Sequence, residues 1–174
     1  MTRPEKGHNV LLAAFTEVRR TLPDARLVVV GDGPMRRALE AQASASGDAS
    51  NVDFLGSVPD IWEHLANADV YALASRSEAF GIAIAEAMAA GLPVVASDVG
   101  GIAELVQPGV TGELFPVGDS SALARHLVRV LTSPDLRAAM SRAALEEAKS
   151  LRMESAVERY FELYDELLAR RRVG

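Results

Sequence analysis

The chain of 174 residues has no cysteine. That excludes disulfides and thiolate metal sites, and it suits a reducing compartment. A basic excess is also lacking: 18 Lys and Arg stand against 24 Asp and Glu, a net charge of −6. Nucleic-acid binders normally carry a basic stripe, so neither DNA nor RNA is expected as a partner. No apolar run reaches the roughly 18 to 20 residues needed to span a bilayer. The opening MTRPEKGHNV has no apolar signal-peptide core, and a cytoplasmic location is expected. The phosphate-loop pattern G-x-x-x-x-G-K-[ST], the hydrolase elbow G-x-S-x-G and the zinc motif H-E-x-x-H are all missing. His8, His64 and His126 lie far apart in helical patterns and are expected to be structural or surface residues. No metal-ligand cluster is evident, so no metal is expected.

What is present is a globular composition, 49% hydrophobic and 24% charged, long enough for one domain with a sizeable core. Helical spacing of apolar residues marks 8 to 21, where Val10, Leu11, Ala14, Phe15 and Val18 fall on one face. ARLVVVGDGP (25 to 34) follows, a β-branched run without polar alternation, as expected of a strand covered on both faces. Pro34 fits the first turn of the next helix. NVDFLGS is a second strand, Pro59 opens a helix over DIWEHLANA, and DVYALAS is a third strand. A helix over about 81 to 90 is stopped by Gly91, LPVVASD is a fourth strand, and ELFPV is a short fifth. Helices are predicted at 119 to 132, 134 to 149 and 151 to 171. In the last, Leu151, Val157, Tyr160, Phe161, Tyr164, Leu167 and Leu168 form an apolar stripe. SASGDAS is the only loop of low-complexity character. Strands alternating with helices through short links predict an α/β fold, a Rossmann-like parallel sheet with helices on both faces.

In open parallel sheets, ligands bind beyond the carboxyl ends of the strands. Glycine recurs there, at Gly31 and Gly33, Gly56, Gly81, and Gly100 and Gly101, where it lets backbone approach a ligand. In SRSEAFGIAIAEAMAAGLPVVAS (75 to 97), Gly81 hands the third strand over to a helix. The free amides of about Phe80 to Ala83 form an anion site suited to a diphosphate. Glu78 would repel a phosphate and is better explained as accepting hydrogen bonds from sugar hydroxyls. Glu86 sits among Ala85, Ala87 and Met88, and a buried carboxylate there calls for a partner such as a ribose diol. On the residues alone a plainer reading stays open: Glu86 on an exposed face, Glu78 capping the helix. Lys6 before Gly7 places an ammonium at a helix start, for a phosphate or for solvent. VVVGDGPMRR carries G-x-G, but Arg36 stands at the third glycine position, which argues against a nicotinamide site.

Taken in order, PEKGHNVLLAAF, ARLVVVGDGP, VDFLGSV, ADVYALASRSEAFGIAIAEAMAAGLPVVASDVGGIAELV and GVTGELFPVGD resemble the C-terminal, donor-binding domain of retaining GT-B glycosyltransferases of the group 1 (family 4) type. The resemblance covers essentially the whole chain, and the pair Glu78 and Glu86 with seven residues between is its most specific part. It implies sugar transfer from a nucleotide-diphosphate sugar with retention, generally without a metal. It implies Lys6 on the diphosphate, Glu78 on sugar hydroxyls and Glu86 on the ribose. The backbone of Ala79, Phe80, Gly81 and Ile82 would hold sugar or phosphate oxygens. Gly56 to Val58 would border the nucleobase, and Gly31 and Gly33 the same cleft. Glu78 and Lys6 are therefore the candidate catalytic residues.

Three departures accompany the resemblance. Ala79 stands where the family usually has glycine. The family's phosphate-binding arginine, five residues before the lysine, falls at Met1, with Arg3 nearby. The family's N-terminal acceptor domain is not in the sequence. The chain is thus expected to be a single donor domain, a fragment whose first central strand is missing between the strands at 26 to 31 and 69 to 74, leaving a gap in the sheet. Its expected partners are the nucleotide sugar and either an acceptor domain or a second chain. Membrane contact is expected only through the absent domain. The other classes weighed are a non-catalytic nucleotide-binding or interaction module and a nucleotide-sugar epimerase fragment.

Overall fold

A computed structural model describes residues 4–151. A 3-10 turn at Pro4–Lys6 leads into helix α1 (His8–Thr21), strand β1 (Leu27–Val30) and helix α2 (Arg36–Ala45). Strand β2 (Val52–Gly56), helix α3 (Trp62–Ala66), strand β3 (Tyr71–Leu73) and helix α4 (Ile82–Ala89) follow. Then come strand β4 (Val94–Ser97), helix α5 (Ile102–Leu105), strand β5 (Gly112–Phe115), helix α6 (Ser120–Thr132) and helix α7 (Pro134–Ser150). Every strand pairing is parallel: β1 with β2, and β3-β4-β5 in that order. Among the described residues β1 and β3 are not paired, so the sheet is divided where the sequence predicts a gap.

Strand alternation distributes the core. Val95 of β4 packs with Val10, Ala14 and Val18 of α1 and with Leu123 and Val130 of α6. Its neighbours Val94 and Ala96 point the other way, onto Ile84 and Met88 of α4 and Ala144 of α7. All four β4 residues are buried, as an unalternating run covered on both faces requires. A third cluster joins Leu12 and Phe15 of α1 to Val29, Val52 and, on α2, Leu39 and Ala43. Helix α1 therefore spans the division, packing against both sheets. No helix of the described residues is long and apolar enough to cross a membrane.

Several boundaries differ from the sequence reading. Pro34 lies in a turn rather than the first turn of a helix, because α2 begins at Arg36. Pro59 likewise precedes its helix, since the Asp60 carboxylate accepts from the Trp62 amide at 2.8 Å and α3 starts there. The fifth strand begins and ends earlier, at 112 to 115, and α5 was not foreseen. The predicted helix over 151 to 171 lies outside the described residues apart from Leu151, and Arg3 lies outside them too. The SASGDAS loop is firmly tied. Its Asp48 is buried and accepts from Thr16 Oγ1 at 2.6 Å, Arg19 Nη1 at 2.7 Å and Ser46 Oγ at 2.8 Å. Burial alone would raise this carboxyl; those hydrogen bonds and the Arg19 charge outweigh it and hold it below its ordinary value.

Candidate functional site

The carboxyl ends of β3 and β4 are laced together by Ser97 Oγ, which donates to the Ser75 carbonyl at 2.5 Å, both residues being fully buried. The chain segment before α1 lies on this end. The Arg76 amide donates to the Glu5 carbonyl at 2.7 Å. Gly7, the N-cap of α1, has φ 62°, and a Cβ there would sit 1.9 Å from the Ala74 carbonyl oxygen. Only glycine permits both the turn and the approach. This docking brings Lys6 to the loop after β3, where its Nζ donates to Glu78 Oε2 at 2.6 Å.

From the other side, Gly100 and Gly101 carry the same loop. Cβ atoms on them would lie 2.1 Å from the Glu78 carbonyl oxygen and 2.6 Å from that of Ala79, and the Gly101 amide donates to Glu78 at 3.3 Å. The VGG sequence after β4 was the signal that could have marked these two as a seat for the loop. Gly81 is the N-cap of α4, with φ 70° and no side-chain cap. Glu78 therefore does not cap the helix, and its carboxylate is turned to Lys6. Among the described residues the amides of Phe80, Gly81, Ile82 and Ala83 donate to no backbone carbonyl. They remain open at the positive end of the helix dipole. Phe80 and Ile82 are exposed on either side of Gly81.

Glu86 is half-buried on α4, and among the described residues its carboxylate has no hydrogen-bonding or ion-pair partner. Tyr71 reports on both carboxylates: its phenol is pushed up to about 12, by burial first and then by the charges of Glu86 and Glu78. The plain reading places Glu86 on an exposed face of the helix, where the residue is half-buried.

A second group forms at the ends of β1 and β2. The Gly31 amide donates to the Gly56 carbonyl at 2.7 Å, and the Arg36 amide to the Gly33 carbonyl at 3.1 Å. Gly56 has φ 72°, and Val58 is half-buried in the loop after it. Lys6, Glu78 and the α4 start thus form one group, and Gly31, Gly33 and Gly56 another, both at carboxyl ends of parallel strands. Arg36 joins the second group, a residue the sequence marked only as a missing glycine. His8 follows the glycine cap of α1; among the described residues its buried Nδ1 has no partner, and burial above all, with the Lys6 charge adding to it, lowers its pKa. Among the described residues no three His, Asp or Glu side chains gather to hold a metal ion. A shallow depression of about 400 Å³, lined by Ala89, Arg142, Leu145 and Glu146 among others, lies at the opposite end of α4 from Gly81.

Known proteins resemble the chain in both sequence and fold. The family model for glycosyl transferases group 1 matches residues 2–147. The phosphatidyl-myo-inositol mannosyltransferase of Mycobacterium leprae is 41% identical over 137 residues, 77% of this chain and 36% of that protein. The N-acetyl-alpha-D-glucosaminyl L-malate synthase of Bacillus anthracis is 36% identical over 159 residues, 91% of this chain and 42% of its own length. The chain thus spans about two fifths of these relatives. Among solved structures, Anabaena HepE in complex with UDP-glucose superposes with a TM-score of 0.82 at 32% identity, covering 96% of this chain and 46% of that one. Sucrose-phosphate synthase from Thermosynechococcus elongatus gives 0.83 at 31%, covering 96% and 43%. With its parallel strands, its glycine-seated Glu78 loop and a family match over most of its length, the chain belongs to the group 1 glycosyl transferases.

Proposed function

We propose that this chain is the donor-binding domain of a retaining glycosyltransferase, holding a nucleoside-diphosphate sugar at the carboxyl ends of its strands. The observation that carries the reading is the Lys6–Glu78 pair set beside the uncapped start of α4. A diphosphate takes the Lys6 ammonium and the open amides of 80 to 83, which together offset its charge. Glu78, released from Lys6, accepts from hydroxyls of the sugar. Glu86, half-buried and without a partner, accepts from the ribose diol, which satisfies an otherwise costly carboxylate. Gly31, Gly33, Gly56 and Val58 border the base.

The reaction proposed breaks the bond between the anomeric carbon and the diphosphate oxygen, joins that carbon to an acceptor oxygen, and passes the acceptor hydroxyl's proton to the departing diphosphate oxygen. The bonding pair stays on the diphosphate, so negative charge grows where Lys6 and the α4 amides lie. Preorganised donors at that point stabilise the transition state more than the ground state. Positive charge comes from protein groups, so the proposal includes no metal. Transfer is assigned to this domain working with an acceptor-binding domain, in the cytoplasm. Relatives named for sugar transfer, and HepE solved with UDP-glucose, support the reading.

A thermal melt of the chain with UDP, GDP and ADP, each with and without attached sugars, tests it. A ligand at 100 times Kd adds about 2.7 kcal/mol, and each kcal/mol raises Tm by roughly 2 to 4 °C for a domain of this size. A rise with one nucleotide and its sugar is expected. A cooperative melt that none of them moves would favour a non-catalytic interaction module instead.

A further inference from the structure

Arg36 occupies an unusual position. Its backbone amide is bonded to Gly33, and its side chain folds across the end of β2. Nε donates to Glu40 Oε1 at 2.8 Å, and Nη2 donates to the Phe54 carbonyl at 2.8 Å. The Phe54 carbonyl lies at the irregularity in pairing between β1 and β2, where Val29 faces Phe54 and Val30 faces Gly56. Two anchors therefore fix the guanidinium plane, with the side chain one-third exposed. Nη1 has no acceptor among the described residues. It lies 2.9 Å from where a Cβ on Gly56 would stand, so glycine at 56 makes room for it. The Gly31 amide holds this end of β2 through the Gly56 carbonyl, at 2.7 Å.

We infer that Arg36 is a specificity-determining residue which donates from Nη1 to a carbonyl oxygen of the nucleobase. The inference rests on the donor-binding reading above, which puts the base at these glycine loops. Guanidinium offers donors only, in a planar fork. Uracil and guanine present exocyclic carbonyl oxygens, where adenine presents an exocyclic amine, itself a donor, and accepts only at its ring nitrogens. A fixed donor facing a donor leaves both unpaired, and such mismatches are what polar sites discriminate against. The Nη2 and Nε bonds hold the fork before ligand arrives, so little side-chain freedom is lost on binding. Arg36 thereby selects a keto base and against adenine.

The test is calorimetric titration of the parent chain and Arg36→Met with UDP, GDP and ADP, each variant's fold checked by its thermal melt. The parent is expected to bind UDP or GDP at least about tenfold tighter than ADP. Arg36→Met should lower the keto affinity to within about threefold of ADP, with ADP itself unchanged. If methionine at 36 does not fold, Arg36→Lys serves. Its flexible ammonium lacks the planar fork that Glu40 and Phe54 hold in place, so it should lose the preference as well. Equal weakening of all three nucleotides would overturn the inference and make Arg36 a clamp on the β2 end. So would an unchanged preference, or a parent that favours ADP. A folded parent that binds no nucleotide would refute the donor-binding reading and this inference with it.

Discussion

Replacing Glu78 by glutamine separates the phosphate and sugar roles, because the two should respond with opposite signs. Glu78 lies 2.6 Å from the Lys6 ammonium, with 18% of the carboxylate side chain and 35% of the lysine exposed. Opposite charges about 4 Å apart interact by roughly 1 kcal/mol in water and 4 kcal/mol at an effective dielectric of 20. Lysine's exposure puts this pair toward the lower end, about 1 kcal/mol. Glu78→Gln therefore frees Lys6 and removes a carboxylate that faces the incoming diphosphate. Bare nucleoside diphosphate should bind several-fold to tenfold tighter, since about 1.4 kcal/mol is a factor of ten. The sugar loses a charged acceptor, worth about 1.5 to 3 kcal/mol. The affinity ratio of nucleotide sugar to bare nucleotide should thus fall at least about tenfold. The fold should survive, because Gly100 and Gly101 seat the loop through its carbonyls, not through the carboxylate. Calorimetric titration with both ligands gives the ratio directly. If Glu78→Gln weakened both ligands alike and left the ratio unchanged, the carboxylate would be holding Lys6 in place and touching no sugar.

Gly100→Ala would push a methyl to 2.1 Å from the Glu78 carbonyl at a backbone with φ 53°. We expect nucleotide-sugar affinity to drop at least about tenfold, as misplacement near a site does, together with a clear fall in Tm from the backbone clash; unchanged binding would contradict the seating role. Asp48→Asn should destabilise the chain by about 2 to 3 kcal/mol in urea unfolding, because three donors lose their charged acceptor. Its folded pKa lies below the ordinary 3.8. The parent therefore has that stability in full above the ordinary value and loses it as pH falls toward the lower folded one. The asparagine variant should lack that acid-dependent part. His8 has a folded pKa below its ordinary 6.5, so the unfolded chain takes up the proton first. Stability should decline as pH drops from 7 toward 5, and His8→Gln should flatten that decline in denaturant melts.

Most of the fold was legible because local signals and burial agree. Val94 to Ala96 is apolar without alternation and, with Ser97, is buried throughout, and Gly91 closes α4 at a positive φ where a side chain would be strained. The two helix starts misplaced at Pro34 and Pro59 share a cause. Proline tolerates a first helical turn but equally a turn before it, and the Asp60 side chain decides the second case. Helix α5 has only four residues and no apolar period to detect. At the site, Lys6, Glu78 and the α4 start were read from motif and spacing. Gly100 and Gly101 were marked only as glycines that let backbone approach a ligand, and Arg36 only as a missing glycine, since their parts depend on contacts across loops: a carbonyl 2.1 Å from a would-be Cβ, and a guanidinium reaching Phe54. Asp48 falls in the Ser- and Gly-rich SASGDAS loop, where no local pattern marks a buried residue. Its burial follows from Thr16 and Arg19 on α1, 32 and 29 residues away.

The central claim is that a nucleotide sugar sits at the start of α4, between Lys6, Glu78 and Glu86. Amide chemical shifts of the isotopically labelled chain, recorded during titration with UDP-, GDP- and ADP-sugars, test it most directly. The account predicts saturable changes that are largest at Phe80, Gly81, Ile82 and Ala83, with Gly31, Gly33 and Gly56 following at the same midpoint. Changes confined to the far end of α4, around Ala89 and Arg142, or none at millimolar ligand on a folded chain, would contradict it.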